Sequence, residues 1–436
     1  MVSPPRPLDQ EASVFKPQAA SFGLRACVGL LVACGLGHAA PGLDTLRLQP
    51  NERIVIIAPH PDDEALACGG LIQQALALGD QVWVVCVTSG DGSWPAAWRV
   101  TGNLFPGPAD YLELGRARID ETKAGAQVLG LDTTHLIFLG YPDIGLAHLW
   151  QQNWTTPYRS TQTQATSNPY GKNRHEYTGR QLLGDIDSLL RTVKPALVFA
   201  PHPCDAHPDH WSTAMLISIA RAAWRPSVDG PFPDVYCYLV HRPPYPEGQT
   251  DGAGFLSPPG ELNGAGHDWF TVDLSDVQLQ TKRASLDCHD SQLGTFGSDI
   301  YRYITANELF DHIIDESAGT VTEDAPEIDV MPAARFSLLQ ASFEGESLDL
   351  RVSLRAEPSS AFNYSLFAHS IESDADSVIH GVFADELTSV PPADSRRWSV
   401  RIPWTGHSGR RVLLYAAEVR LGSVLVNHSG IGRIVY

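Results

Sequence analysis

The sequence predicts an α/β fold, a mainly parallel, doubly wound sheet, followed by an all-β domain. Three observations point there. From about residue 50 to 290, short continuous apolar runs recur, as in strands buried on both faces. Amphipathic helical stretches separate them, the alternation of a doubly wound sheet. After about residue 325 the helical pattern stops and short strand-like runs follow at roughly even spacing.

The elements follow in chain order. Arg25 precedes the apolar stretch Ala26–Gly37, then His38-Ala39-Ala40. That stretch is too short to span a bilayer and suits the apolar region and cleavage site of an export signal. Leu31-Val32-Ala33-Cys34 also resembles a lipoprotein cleavage box, with Cys34 the residue to be lipidated. An exported mature chain with no transmembrane span is expected, its leader occupying 1–40. Ile54–Ala58, Val82–Val87, Leu136–Leu139, Ala196–Ala200 and Val235–Val240 read as strands. Helical patterns lie at 64–78, 111–129, 178–193 and 211–224. In the first, Leu71, Ile72, Ala75 and Leu76 form one apolar stripe and Gly79 ends it. Another helix starts near Ser275, where Ser-Asp-Val-Gln fits a capping box. Residues 141–177 and 241–268 are long loops rich in Pro, Gly, Asn, Gln and aromatics, the composition of rims and lids. The acidic segment 323–327 reads as a linker. The α/β domain is therefore expected over 41–325 and a β-sandwich over 326–436.

Composition narrows the partners. The chain of 436 residues is 43% hydrophobic and 19% charged, an ordinary globular balance. Its formal net charge of −19 excludes nucleic-acid or anionic-membrane binding through a general basic surface. A neutral or cationic partner, such as a sugar polymer, is easier. The seven cysteines are scattered with no C-x-x-C pair and read mainly as small buried hydrophobes.

Ligands of open α/β sheets bind beyond the carboxyl ends of the strands. Here the first strand runs straight into His60-Pro61-Asp62-Asp63-Glu64, the second into Thr88-Ser89-Gly90-Asp91, the third into Tyr141-Pro142-Asp143. The fourth runs into a segment holding His202, Asp205, His207, Asp209 and His210. Acids suit a first helical turn by themselves, at about 0.3–1 kcal/mol each. That does not account for His-x-x-Asp after one strand together with His-x-Asp-His after another. His60, Asp63 and His210 make a set of two imidazoles and one carboxylate, the donor types of a Zn²⁺ site with an open position. His60 and Asp63, three apart, are expected on one face of the first helical turn, with Asp62 off that face. The set leaves a bound Zn²⁺ at net +1, which favours an acidic water. Asp62, free beside the ion, is the expected general base. His207 is the expected acid or oxyanion stabiliser, with Asp209 orienting it and holding it charged. Such parts suit metal-assisted hydrolysis of an amide or ester.

At these residues the chain resembles the PIG-L/LmbE-like deacetylase family. Pro59-His60-Pro61-Asp62-Asp63-Glu64 and His207-Pro208-Asp209-His210 match its two motifs. Arg118-Ile119-Asp120-Glu121, Phe138–Asp143 and Lys282–Gln292 are similar to its later elements, so the likeness spans about 50–295. The resemblance implies a Rossmann-like fold and Zn²⁺-dependent removal of acetyl from N-acetylglucosamine-type sugars. It implies the same ligands and the same base. It also makes Arg118 and Asp143 candidate sugar contacts, each with a structural alternative: a helix-surface charge and a turn residue. His202 and Asp205 are expected to orient the metal ligands. Trp94, Trp98, Trp150, Trp154 and Tyr158 either stack on sugar rings or pin the long loops. The expected function is an exported Zn²⁺-dependent N-deacetylase of a GlcNAc-containing glycan or glycoconjugate. The alternatives are an amidase releasing a longer acyl or conjugate group, and a non-catalytic surface glycan-binding protein. The sequence leaves glycan length and oligomeric state open.

Overall fold

The computed structural model describes residues 42–171, 174–224, 229–242, 245–246, 254–262, 267–293, 300–312, 320–321, 336–344, 347–373, 379–387, 395–403, 410–421 and 424–435. The expected leader with Cys34 and the expected linker at 323–327 lie outside them.

Eight strands form the first sheet: β1 (Asp44–Thr45), β2 (Arg53–Ala58), β3 (Gln81–Thr88), β4 (Leu136–Tyr141), β5 (Leu197–Pro201), β6 (Asp234–Tyr238), β7 (Trp269–Asp273) and β8 (Asn307–His312). Their spatial order is β1-β7-β8-β6-β5-β2-β3-β4. Strands β2 to β6 pair in parallel, whereas β8 runs antiparallel to both β6 and β7. The sheet is thus mostly parallel and doubly wound, as the alternation predicted. The sequence did not announce β7 and β8. Glu308 and Asp311 interrupt the apolar pattern of β8, yet both are buried because both have partners.

The helices are α1 (Asp63–Ala77), α2 (Trp94–Thr101), α3 (Pro108–Val128), α4 (Leu146–Gln151), α5 (Gly179–Val193), α6 (Pro208–Ala223) and α7 (Asp276–Leu286). They make three layers with the sheet. Ile54, Ile56 and Ala58 of β2 face the core shared with α1, α3 and α7. Val55 and Ile57 face the core shared with α4, α5 and α6. With both faces covered, every residue of the strand after Arg53 is buried, and each large side chain contributes about 1.5–3 kcal/mol. Ser275 caps α7 reciprocally with Gln278, as its capping box predicted. Two helices stand inside stretches read as loop or left unassigned: α4 within 141–177, and α2 just after β3. Both are short, so their periodicity is weak.

A buried knot fixes α1 against the sheet. The Glu308 carboxylate accepts from the backbone N–H of Gly70 (2.7 Å) and Leu71 (2.8 Å), and pairs with Lys282 Nζ at 2.6 Å. A Cβ on Gly70 would lie 2.5 Å from the Leu274 side chain, so the close approach requires glycine. None of the described helices is long and apolar enough to cross a membrane.

The C-terminal strands are β9 (Thr320–Val321), β10 (Phe336–Glu344), β11 (Ser347–Leu354), β12 (Asn363–Ser373), β13 (Ile379–Leu387), β14 (Arg397–Pro403), β15 (Arg410–Leu421) and β16 (Val424–Val435). They form two four-stranded sheets, β14-β11-β10-β9 and β13-β12-β15-β16, with antiparallel pairs throughout. Leu348, Leu350, Val352 and Leu354 alternate along β11 and share one cluster with Tyr364 and Leu366 of β12 and Val419 of β15. The two sheets therefore face each other across a common core, which is a β-sandwich.

Candidate active site

The strand order reverses between β2 and β5, where β2 passes to β3 and β4 on one side and β5 to β6 on the other. Open sheets have a crevice at such a point. The segments leaving β2 and β5 bring His60, Asp63 and His210 into it.

The three donor atoms form a nearly equilateral triangle. His60 Nδ1 lies 3.4 Å from Asp63 Oδ2, His210 Nε2 lies 3.2 Å from the same oxygen, and the two nitrogens are 3.3 Å apart. Donors held tetrahedrally at the usual zinc distances of about 2.0–2.1 Å stand about 3.3 Å apart. Asp63 and His210 are fully buried, and Asp63 Oδ1 has no hydrogen-bond partner among the described residues. A dry carboxylate with a spare oxygen beside two imidazoles fits a divalent cation and the zinc donor set.

Each imidazole turns its other nitrogen to a carboxylate. His60 Nε2 lies 3.2 Å from Asp143 Oδ1 and 3.2 Å from Asp209 Oδ2. His210 Nδ1 faces Asp205 Oδ2 at 3.2 Å. Carboxylates behind metal-binding histidines fix ring orientation and tautomer.

Asp62 sits beside the triangle for a reason the sequence spacing missed. His60 is not on the first turn of α1, because Asp62 at φ 148° bends the chain there and Asp63 begins the helix. Asp63 Oδ2 reaches back to accept from the His60 N–H at 2.8 Å. A non-glycine residue at this φ is strained, and such strain concentrates at functional sites. Asp62 is the N-cap residue yet makes no capping bond with its side chain. It pairs instead with Arg118 Nη2 at 2.9 Å, so it is not free. Burial raises its carboxyl to about 6, against the opposing pull of Arg118.

Arg118 is a clamp. It also donates to the carbonyls of Gly90 (3.1 Å) and Pro61 (2.8 Å), tying the loops after β2 and β3. Gly90, at φ 63°, lets the guanidinium close in, since a Cβ there would lie 2.2 Å from Nη1. Asp143 likewise has internal partners, His60 and the Gly92 N–H at 2.7 Å. Both residues line the cavity, where they also hold Asp62 and His60.

The expected pairing of Asp209 with His207 is corrected. The Asp209 carboxylate accepts from the backbone N–H of Ile144 (2.7 Å) and Leu146 (3.0 Å) and faces His60. Only its backbone N–H meets His207, at Nδ1 and 3.2 Å. That bond caps α6 and leaves the His207 proton on Nε2. Burial, and then the positive potential of His60, hold His207 well below the usual imidazole range, so it is neutral rather than charged.

Sequence reasoning missed His241. It follows β6 as the other site residues follow their strands, inside a stretch read as loop. The strand-end rule applied to β6 finds it. His202, expected behind the metal ligands, is instead bonded to Asp311 at 3.0 Å. The aromatics divide cleanly. Trp150 and Trp154 are buried and pin the loop after β4, whereas Trp94 and Trp98 of α2 are 47% and 44% exposed.

The cavity over the triangle has a volume of about 540 Å³. Its floor holds His60, Asp62, Asp143, His207 and His241, and its walls include Leu66, Ile144, Val240, Ile300 and Tyr303.

Residues 55–221 match the family profile PIG-L, described as GlcNAc-PI de-N-acetylase. The 1D-myo-inositol 2-acetamido-2-deoxy-alpha-D-glucopyranoside deacetylase of Corynebacterium glutamicum is 27% identical over 247 residues, which is 55% of this chain and 75% of that protein. The N,N'-diacetylchitobiose deacetylase of Pyrococcus horikoshii aligns over 60% of this chain and 83% of its own, at 21% identity and a TM-score of 0.39. A 4-carboxy-2-hydroxymuconate hydratase of Pseudomonas putida aligns over 63% of this chain and all of its own, at 17% identity and a TM-score of 0.40.

Proposed function

Residues 55–221 of this chain are a PIG-L family domain, a family of deacetylases, and from that premise we propose that the protein hydrolyses the acetamide of a GlcNAc-type sugar with a bound Zn²⁺. The observation that carries the reading is the triangle of His60 Nδ1, Asp63 Oδ2 and His210 Nε2, with Asp62 beside it on the cavity floor. When bound, the cation polarises the amide carbonyl and makes water more acidic.

The remaining work falls to this chain's side chains. Asp62 accepts the proton of the attacking water, and its raised pKa suits handing that proton on to the leaving amine. Arg118 fixes the carboxylate without neutralising both oxygens, because only Oδ2 is paired. His207 keeps Nε2–H for the oxyanion of the tetrahedral intermediate, a hydrogen-bond donor already in place. Asp143, Asp209 and Asp205 hold the imidazoles of His60 and His210 in register. The cavity, at about 540 Å³, is large enough for a sugar with a substituent.

The test is a panel of N-acetylated and longer N-acylated sugars, with and without chelator, following the acid released. Acetate release that stops with chelator and returns with Zn²⁺ supports the reading. Release of larger acids alone would make the protein an amidase of another acyl group. Binding without release of any acid would make it a glycan-binding protein.

A further inference from the structure

His241 has no role in the chemistry above, yet its placement is tightly built. Asp205 Oδ2 accepts from the backbone N–H of Val240 (3.1 Å) and of His241 (3.0 Å). The His241 carbonyl accepts from the Ala206 N–H at 2.7 Å. The same Asp205 oxygen faces His210 Nδ1 at 3.2 Å. One carboxylate therefore sets both the orientation of His210 and the backbone that presents His241.

The ring of His241 stands edge-on to that of His210, with centroids 4.7 Å apart and planes at 82°. It lies 6.2 Å from the ring of His60. One of its ring nitrogens is within 4.8 Å of the donor atoms of His60, Asp63 and His210. Neither ring nitrogen has a hydrogen-bond partner among the described residues, and the side chain lines the cavity. A triangle of three donors binds an ion over one face, and His241 lies toward the cavity on the open side.

We propose that His241 is a fourth protein donor to the cation held by His60, Asp63 and His210, approaching from the cavity side. The inference rests on the metal reading of the site. It changes what that site is: three nitrogens and one oxygen in place of two and one. A neutral imidazole adds no charge, so the net +1 of a bound divalent ion is kept. The third nitrogen favours Zn²⁺, Co²⁺ and their neighbours over Mg²⁺ and Ca²⁺, which prefer oxygen donors. A separation of up to 4.8 Å exceeds the tetrahedral spacing of about 3.3 Å, so a rotation of the side chain closes the set. Rotation the other way leaves the position open to a substrate oxygen.

The probe is Co²⁺ added to the metal-free full chain, read by its visible spectrum and by competition with a chelator. Wild type should show the intense band of a four-coordinate ion with nitrogen donors. His241→Ala should lose that intensity as solvent enters, and hold Co²⁺ at least about tenfold less tightly. His241→Gln keeps bulk without the imidazole and should behave in the same way, which separates ligation from packing. His207→Ala is the control: its ring is also near His60, but Nδ1 is taken by the Asp209 N–H, so spectrum and affinity should not change. Thermal melts of the metal-free variants confirm folding. Unchanged spectrum and affinity in both His241 variants would overturn the proposal, as would an equal change in His207→Ala. Wild type that binds no Co²⁺ takes down the metal reading and this inference together, an outcome distinct from either of those.

Discussion

Among the described residues, groups of two histidines and an aspartate with donor atoms close enough to share an ion stand at two places. One holds His60, Asp63 and His210, with His241 beside them and with His207 and Asp209 grouped on His60; the other is His202, His267 and Asp311. Their composition is the same, and what differs is the bonding capacity left over. In the first, Asp63 Oδ1 is buried without a partner and the imidazole nitrogens away from the triangle face other carboxylates. In the second, Asp311 Oδ2 takes both His202 Nε2 (3.0 Å) and His267 Nδ1 (2.6 Å), and Oδ1 takes the Asp268 N–H at 2.9 Å. His202 Nδ1 accepts from the Cys204 N–H at 3.0 Å, which places its proton on Nε2, toward Asp311. The second cluster is complete as a clamp between the end of β5, the start of β7, and β8. Unspent donors, rather than residue types, separate a cluster able to take a cation from a structural knot.

The largest expected effect tests that difference directly. Asp63→Ala should abolish both bound Zn²⁺ and turnover, while Asp311→Ala should leave one ion per chain by elemental analysis. Equal metal loss in both variants would erase the distinction. The next effect lies beside the triangle. Asp62→Asn should lower turnover by about 10²–10⁴-fold with metal content unchanged. Normal turnover in that variant would remove Asp62 as the base. A smaller change is expected one shell out. Asp205→Ala should weaken ion retention by about 10–100-fold, because it leaves His210 Nδ1 unsupported and loosens His241. Chelator competition reads it, and undiminished retention would show that the carboxylate does not orient the ring.

Much of this was legible in the sequence, and the gaps have physical causes. The parallel strands were readable because burial on both faces demands continuous apolar runs, as in Ile54–Ala58. The sandwich was readable because short strand-like runs recur at roughly even spacing after about residue 325 with no helical pattern among them. Strand β8 was not, because Glu308 and Asp311 look like surface acids until Lys282, His202 and His267 arrive from distant segments. That His60, Asp63 and His210 meet could be read from the sequence, although the reason given, a shared helical face, was displaced by the bend at Asp62. A positive φ at a non-glycine residue leaves no mark in sequence. Which nitrogen of His207 holds the proton was equally hidden, since one backbone N–H from Asp209 decides it. Asp209 shows the limit of motif reasoning: its adjacency to His207 suggested a pair, but the first turn of α6 points the carboxylate at His60 and the loop before α4.

The smallest predicted effect probes the clamp alone, on protein kept metal-free with chelator so that the first cluster is silent. Burial pushes the Asp311 carboxyl up, but the hydrogen bonds from His202 and His267 outweigh it and hold the group well below the usual carboxylate range. An acid with a depressed folded-state pKa stabilises the fold above its unfolded pKa of about 3.9, and that contribution drains away as pH falls further. Asp311→Asn keeps the shape but replaces an acceptor oxygen with an N–H₂ group. With its N–H₂ turned to the imidazoles both lose their acceptor, and turned the other way the Asp268 N–H loses its own, so a donor is stranded in either orientation, at a cost of about 1–3 kcal/mol near neutral pH. Urea unfolding should show that gap at pH 7 and a narrower one below about pH 4, where the Asp311 carboxyl of the unfolded chain takes up a proton while that of the folded chain stays ionised. A gap of constant size across that range would mean that the bonds do not depend on an ionised Asp311. Loss of bound metal in the same variant, assayed separately without chelator, would mean that the second cluster is not a closed clamp at all.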